Sequence, residues 1–269
     1  VIDYAEAAAG VRRPAPLLVV RLPGREHQPA ARHAAALKDA EQRFPDALQK
    51  ARAAFDSAGQ HGDRSLERFQ NLSSLHLLEA NYALRHGQDP STALTRARET
   101  VAECRKQSPD DAGCALLLAE LELTSMRWQV ASQGALRVKP KELEQLLGVA
   151  DQAVAANTRS AEGYRQLAAV RLLRGEVQLA RKKPALAEAE LTAGLAAASQ
   201  SLTQNPRHAR AMGVRGALEL LQARVQAQTN DPRRASSAAD AALSFKKMVE
   251  LNPLLVWEYA AEIEAANRH

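Results

Sequence analysis

One pattern limits what this chain can fold into more than any other: a long unit of nearly constant length that recurs along it. Asn252-Pro253, Asn205-Pro206, Asn157-Thr158 and Ser108-Pro109 are similar two-residue stops, spaced 47, 48 and 49 residues apart. Counted back from the second residue of each stop, position 15 holds Leu94, Leu143, Leu191 and Ala238, and position 12 holds Ala97, Leu146, Gly194 and Ala241. Position 8 holds Val101, Ala150, Ala198 and Phe245, and position 5 holds Cys104, Ala153, Ser201 and Met248. Intervals of 3, 4 and 3 residues between columns place them on one face of an α-helix. Each stop is thus preceded by the second helix of a repeated hairpin.

A first helix follows each stop, and its columns hold too. Three residues on stand Ala112, Ala161 and Ala209; ten on, Ala119, Ala168 and Gly216; fourteen on, Leu123, Leu172 and Leu220. Small residues let neighbouring helices approach closely, and each buried leucine contributes about 1.5 to 3 kcal/mol. Between the two helices lie Gly87-Gln88-Asp89-Pro90, Lys139-Pro140, Lys183-Pro184 and Asn230-Asp231-Pro232. Proline there suits the first turn of the second helix, where its missing N–H costs nothing. Alanine makes up 55 of the 269 residues and aromatics only 4%, a composition that favours closely packed helices over sheets.

The expected fold is an all-α solenoid of about four long hairpins with a C-terminal capping helix. Residues 1–28, with Pro14, Pro16 and Pro23, read as an irregular arm. Residues 29–63 read as a degenerate helical first unit, with helices over 30–44 and 46–57 split at Pro45. Residues 64–253 form the repeat array. In 254–269, Val256, Tyr259, Ala260 and Ile263 lie on one face of a short helix that would cover the last hairpin.

The spacing of Ala241, Phe245, Met248 and Pro253 resembles the second half of a tetratricopeptide repeat. In the first half Tyr164, Leu167 and Ala168 stand where that family has Trp, Leu and Gly, whereas Met212, Arg215 and Gly216 fit only partly. The unit is also about 14 residues longer than the family's usual 34. Over 64–269 the chain resembles the C-terminal repeat regions of bacterial serine/threonine protein kinases, through its G-x-D-P turns, N-P stops and closing Asn252-Pro253-Leu254-Leu255-Val256-Trp257-Glu258-Tyr259. That resemblance implies a regulatory or protein-interaction region. HRD and DFG sequences and a glycine-rich loop are missing, so the chain is not expected to transfer phosphate.

Nothing else in the sequence points to catalysis. The seven histidines, His27, His33, His61, His76, His86, His208 and His269, are dispersed with no HExxH, and no G-x-S-x-G elbow marks a nucleophile. Carboxylate pairs such as Glu120 with Glu122 and Glu258 with Glu262 suit solvated faces. Cys104 and Cys114 form no CxxC pair and read as two small buried thiols, one bridge between neighbouring helices being the other geometry open to them. Neither a metal nor another cofactor is expected. The net charge of +5 is spread out and the ten aromatics are scattered, so nucleic acid is not the expected partner. The early apolar run over residues 16–20 is far shorter than the roughly 20 residues of a membrane span. The chain starts Val1-Ile2-Asp3 without a leader, reads as part of something longer, and is expected in the bacterial cytoplasm.

The candidate binding residues are rows that stacking would create. Twenty residues after each stop stand Gln129, Gln178 and Gln226, and two earlier stand Arg127, Glu176 and Arg224. Such rows fit either a peptide-binding groove or a plain exposed face. The geometry of the resembled repeat would add Leu116, Glu120, Arg165, Ala169, Arg210 and Ala217 to an inner face. Basic side chains cluster at the interhelix turns: Arg137, Lys139 and Lys141, then Arg181 to Lys183, then Arg233 and Arg234. Those of 181–183 suit a helix C-terminus. Arg233 and Arg234 start a helix, where the dipole opposes them, and are the better candidates for acidic or phosphorylated ligands. The leading expectation is a non-catalytic module that binds a partner protein or peptide on its concave face. A self-associating or spacing scaffold is the alternative, and a small-molecule sensor the third.

Overall fold

The computed structural model describes residues 28–256 and 258–268, and every regular element among them is helical. The arm expected over 1–28 therefore lies outside the described residues, apart from residue 28. In order the helices are α1 (Gln28–Gln60), α2 (Leu66–Arg85), α3 (Ser91–Gln107), α4 (Ala112–Gln133) and α5 (Pro140–Ala156), then α6 (Ala161–Ala180), α7 (Pro184–Gln204), α8 (Ala209–Gln228), α9 (Arg234–Leu251) and α10 (Ala260–Asn267). Short 3₁₀ turns occupy Ala135–Arg137 and Pro253–Val256. No described helix is long and apolar enough to cross a membrane.

The pairs α2/α3, α4/α5, α6/α7 and α8/α9 are the four expected hairpins. First helices α2, α4, α6 and α8 pack one on the next, while each second helix packs on its own first helix and on that of the following unit. The first helices therefore line the inner, concave side. All sixteen residues of the four second-helix columns are buried, as are Leu123, Leu172 and Leu220 of the first helices. Glycine marks the closest approaches: a Cβ on Gly194 would come within 2.7 Å of Leu218, and one on Gly216 within 3.0 Å of Phe245.

The stops have a local cause. Asn157, Asn205 and Asn252 accept, through Oδ1, the backbone N–H two residues on, at 3.0 to 3.1 Å. This Asx geometry turns the chain out of one helix toward the next. Three of the first helices then start with Ser65, Asp111 and Ser160, each accepting a backbone N–H three residues on, which satisfies a donor that would otherwise lack a partner.

Three expectations change. First, α1 runs through Pro45 instead of breaking there. Pro45 is exposed, so the carbonyl that its ring displaces one turn back can bond water and the helix continues. The helix docks on α2 by stacking Phe44 on Tyr82 at 4.4 Å and by the Arg52–Glu79 ion pair. Second, Cys104 and Cys114 form a disulfide, with 5.8 Å between their Cα atoms. The stop at Ser108-Pro109 folds the end of α3 back on the start of α4, and two buried thiols meet across the joint. Third, the cap is not one helix over 254–269. It is the 3₁₀ turn, which buries Leu255, followed by α10, whose Ile263, Ala265 and Ala266 close the main core.

Candidate functional site

The concave side gathers one arginine from each unit: Arg85 at the end of α2, Arg127 on α4, Arg165 on α6 and Arg210 at the start of α8. All four act on Glu258, which stands between the last 3₁₀ turn and α10. Its Oε2 lies 3.1 Å from Arg85 Nη2 and 3.9 Å from Arg210 Nε. Burial pushes the Glu258 carboxyl up, but Arg85, Arg210, Arg127 and Arg165 outweigh it and hold the group below its ordinary value. The C-terminal cap thus reaches across the concave side to the first hairpin. The sequence pointed to a solvated Glu258; the structure instead half-buries it against the first hairpin.

Beside this cluster runs a second network along the first helices. Arg165 donates to Glu162 at 2.6 Å and to Glu120 of α4 at 2.7 Å, and Gln166 also donates to Glu120. His208 Nδ1 accepts the Ala211 N–H that starts α8, so the ring proton sits on Nε2, 3.1 Å from Glu162 Oε2. Burial of Glu162 pushes its carboxyl up, yet Arg165 and His208 prevail and lower it to about 2. Burial likewise opposes the Arg165 charge, and Glu162 and Glu120 overcome it. Glu120, Arg165, Glu162 and His208 therefore stitch α4, α6 and α8 together, using most of their bonding capacity on one another.

The sequence-derived candidates divide accordingly. Glu120, Arg127, Arg165 and Arg210 come together on the concave side. Glu176 and Arg224, in the same column as Arg127, are exposed. Gln129 donates to Glu142 at 3.3 Å, whereas the amide oxygens of Gln178 and Gln226 are buried and accept no hydrogen bond from a described residue. No hydrogen bond links the three glutamines into a ladder among the described residues. At the turns, Arg181 donates to the Val138 carbonyl of the preceding unit, which brings those two turns together. Arg233 is held by Asp231, with its closest contact at 2.6 Å, which explains how an arginine comes to stand at a helix start. Arg234 is exposed. Arg85, Glu162, His208 and Glu258 were missed as site residues. Only the closing N-P-L-L-x-x-E-Y stretch drew attention to one of them.

A groove of about 720 Å³ opens on the outer side between α3 and α5, lined by Arg98, Ser125, Met126, Glu142 and Gly148 among others. The matching place between α5 and α7 is filled by Arg174, which stands where the preceding unit has Ser125. Arg174 donates to Glu190 at 2.8 Å, to the Leu143 carbonyl at 2.9 Å and to Glu144 at 2.9 Å. Among the described residues, no three or more His, Cys, Asp or Glu side chains are placed to hold a metal ion. No protein-family model matches the chain, and no curated protein sequence does so.

Proposed function

We propose that this array is a non-catalytic protein-interaction module, the C-terminal repeat region of a bacterial serine/threonine kinase, and that it holds a partner protein on its concave side. The observation that carries this reading is the convergence of Arg85 and Arg210, from the first and last units, 3.1 and 3.9 Å from one carboxylate, with Arg127 and Arg165 of the units between acting on the same group. Arg165 is already met by Glu120 and Glu162, whereas Arg127 and Arg210 share the field of the one Glu258 carboxylate, so this side favours a partner that brings negative charge. Binding there would tether the partner to the parent chain and raise its effective concentration. The Cys104–Cys114 bond supports work in an oxidising compartment rather than in the cytoplasm expected from the sequence.

The test is cross-linking of captured partners to the 269-residue chain, compared with the R127E/R210E double variant and with R224E, which changes an exposed arginine outside the cluster. Partners that cross-link to α4 and α8 and are lost only in the double variant support the reading. Partners retained equally by all three proteins overturn it.

A further inference from the structure

We infer that Glu258 is a built-in ligand of the concave arginine cluster, and that an acidic segment of a partner protein binds there by taking the place of the Glu258 carboxylate. The inference rests on the proposed binding role of the concave side and specifies the chemistry that this side selects.

The mount of Glu258 is fixed while its side chain is held loosely. On one side Leu255 is buried, and on the other the Tyr259 ring packs 5.8 Å from that of Phe245 and against Gly213. These contacts aim residue 258 at the cluster. Its carboxylate, however, makes longer and less directed ion pairs than the other buried carboxylates do. Elsewhere in this molecule buried arginines meet carboxylates with directed bonds of 2.6 to 2.9 Å, as Arg165 does with Glu162 and Arg174 with Glu190. Glu258 Oε2 is buried yet accepts no well-directed hydrogen bond from a described residue, and its contacts to Arg85 and Arg210 are 3.1 and 3.9 Å. It is attracted by the summed field more than by any one donor. A carboxylate free to choose its approach can form the shorter, charge-assisted bonds that Glu258 does not.

Access is provided by Arg210, whose side chain is 41% exposed, next to a Glu258 side chain that is 21% exposed. An incoming acidic side chain reaches the cluster past Arg210. Rotation of Glu258 outward completes the exchange, with Leu255 and Tyr259 still seated. The cap therefore keeps the array closed at its end whether or not the site holds a partner. Anions that approach without enough charge to displace Glu258 are rejected, so the resident carboxylate also sets a threshold for selectivity.

The experiment is a fluorescence-anisotropy titration of a fluorescein-labelled hexaglutamate peptide with the full chain, E258Q, R210E and E258Q/R210E at low salt. Circular dichroism checks that each variant keeps the parent's helix content. E258Q should bind about ten-fold more tightly than the parent, the factor expected if Glu258 fills the site about nine-tenths of the time. Adding R210E should remove that gain. Equal binding by the parent and E258Q, still lost in R210E, overturns the exchange and leaves the concave side standing as a binding surface. Binding by neither protein, or binding indifferent to R210E, overturns the exchange and that surface together.

Discussion

The front of the array, α2 to α5, and the rear, α6 to α9, are built on the same columns yet held together by different means. In front, Leu77, Ala80, Leu94, Ala97, Val101 and Leu121 belong to an apolar cluster separate from the main core, which runs from Leu123 to Ala266. The outer groove lies open over Ser125, and the joint between α3 and α4 is closed by the Cys104–Cys114 bond. In the rear the corresponding joint, between α7 and α8, has Ser201 in place of Cys104, and its hydroxyl donates back within its own hairpin to the Ala161 carbonyl of α6 at 2.6 Å, so no side-chain bond from this position crosses the joint. Arg174 fills the place of the groove and ties α5, α6 and α7 together. A covalent staple thus stands where packing is thin, and a buried ion cluster with glycine contacts where it is thick.

Several substitutions would break or sharpen this contrast, starting with the largest effect. R174A removes one of the two arginines that hold Glu190 in a nearly dry site, leaving Arg171 at 2.9 Å, and should cost about 3 kcal/mol by urea denaturation, the low end for a broken buried pair. S125A, at the matching front position, should change stability by less than about 0.5 kcal/mol. Equal effects at the two positions would erase the difference between the joints. Next, replacing both cysteines by alanine should cost about 2 to 3 kcal/mol, the amount expected for a short closed loop. Amide hydrogen exchange should then speed up first in α2 and α3 and leave α6 to α9 protected. Uniform loss of protection would show that the staple serves the whole array.

A smaller contrast is expected at two glycines. A methyl on Gly194 would meet Leu218 and the Arg171 Cβ, so G194A should destabilise by about 1 to 3 kcal/mol, measured as a lower melting temperature. A methyl on Gly148, beside the open groove, meets nothing within 4 Å. G148A should therefore stabilise by about 0.5 to 1 kcal/mol through helix propensity alone. The smallest effect concerns acid, where front and rear behave alike. Glu79 in front is lowered to about 2, first by the His76 ring 3.7 Å away and then, against burial, by Arg52. Glu162 in the rear is also at about 2. Both depart from a free value of 4.5, so each contributes stability above that pH and loses it as the pH falls toward 2. E79Q or E162Q should flatten the acid limb of stability over this interval. The effect is modest because the Glu162 side chain is 38% exposed and water screens its pairs.

Periodic features were readable from the residues alone because a stacked unit repeats its contacts. Position 5 before each stop is buried whether it holds Cys104, Ala153, Ser201 or Met248, so the column was visible without knowledge of the fold. What broke the period was not readable. The disulfide depends on a turn that brings the ends of α3 and α4 within reach, which a spacing of ten residues does not specify. The arginines around Glu258 sit in different columns: Arg127 is 18 residues past its stop, Arg165 seven and Arg210 four. That drift traces a diagonal across the first helices, and only the superhelical path of the array converts it into one cluster. Among the described residues the longest-range ion pair, Arg85 with Glu258, joins the two ends of that path.

That last pair also limits growth by duplication. Solenoids are open-ended as a rule, and copies of a unit can be gained or lost while each junction stays intact. Here the terminal segment touches the opening hairpin, so a fifth unit would carry Glu258 away from Arg85 and a missing one would leave it short. The contact works as a gauge of copy number: every hairpin in a longer or shorter array could still fold, yet only one number of hairpins lets the ends meet.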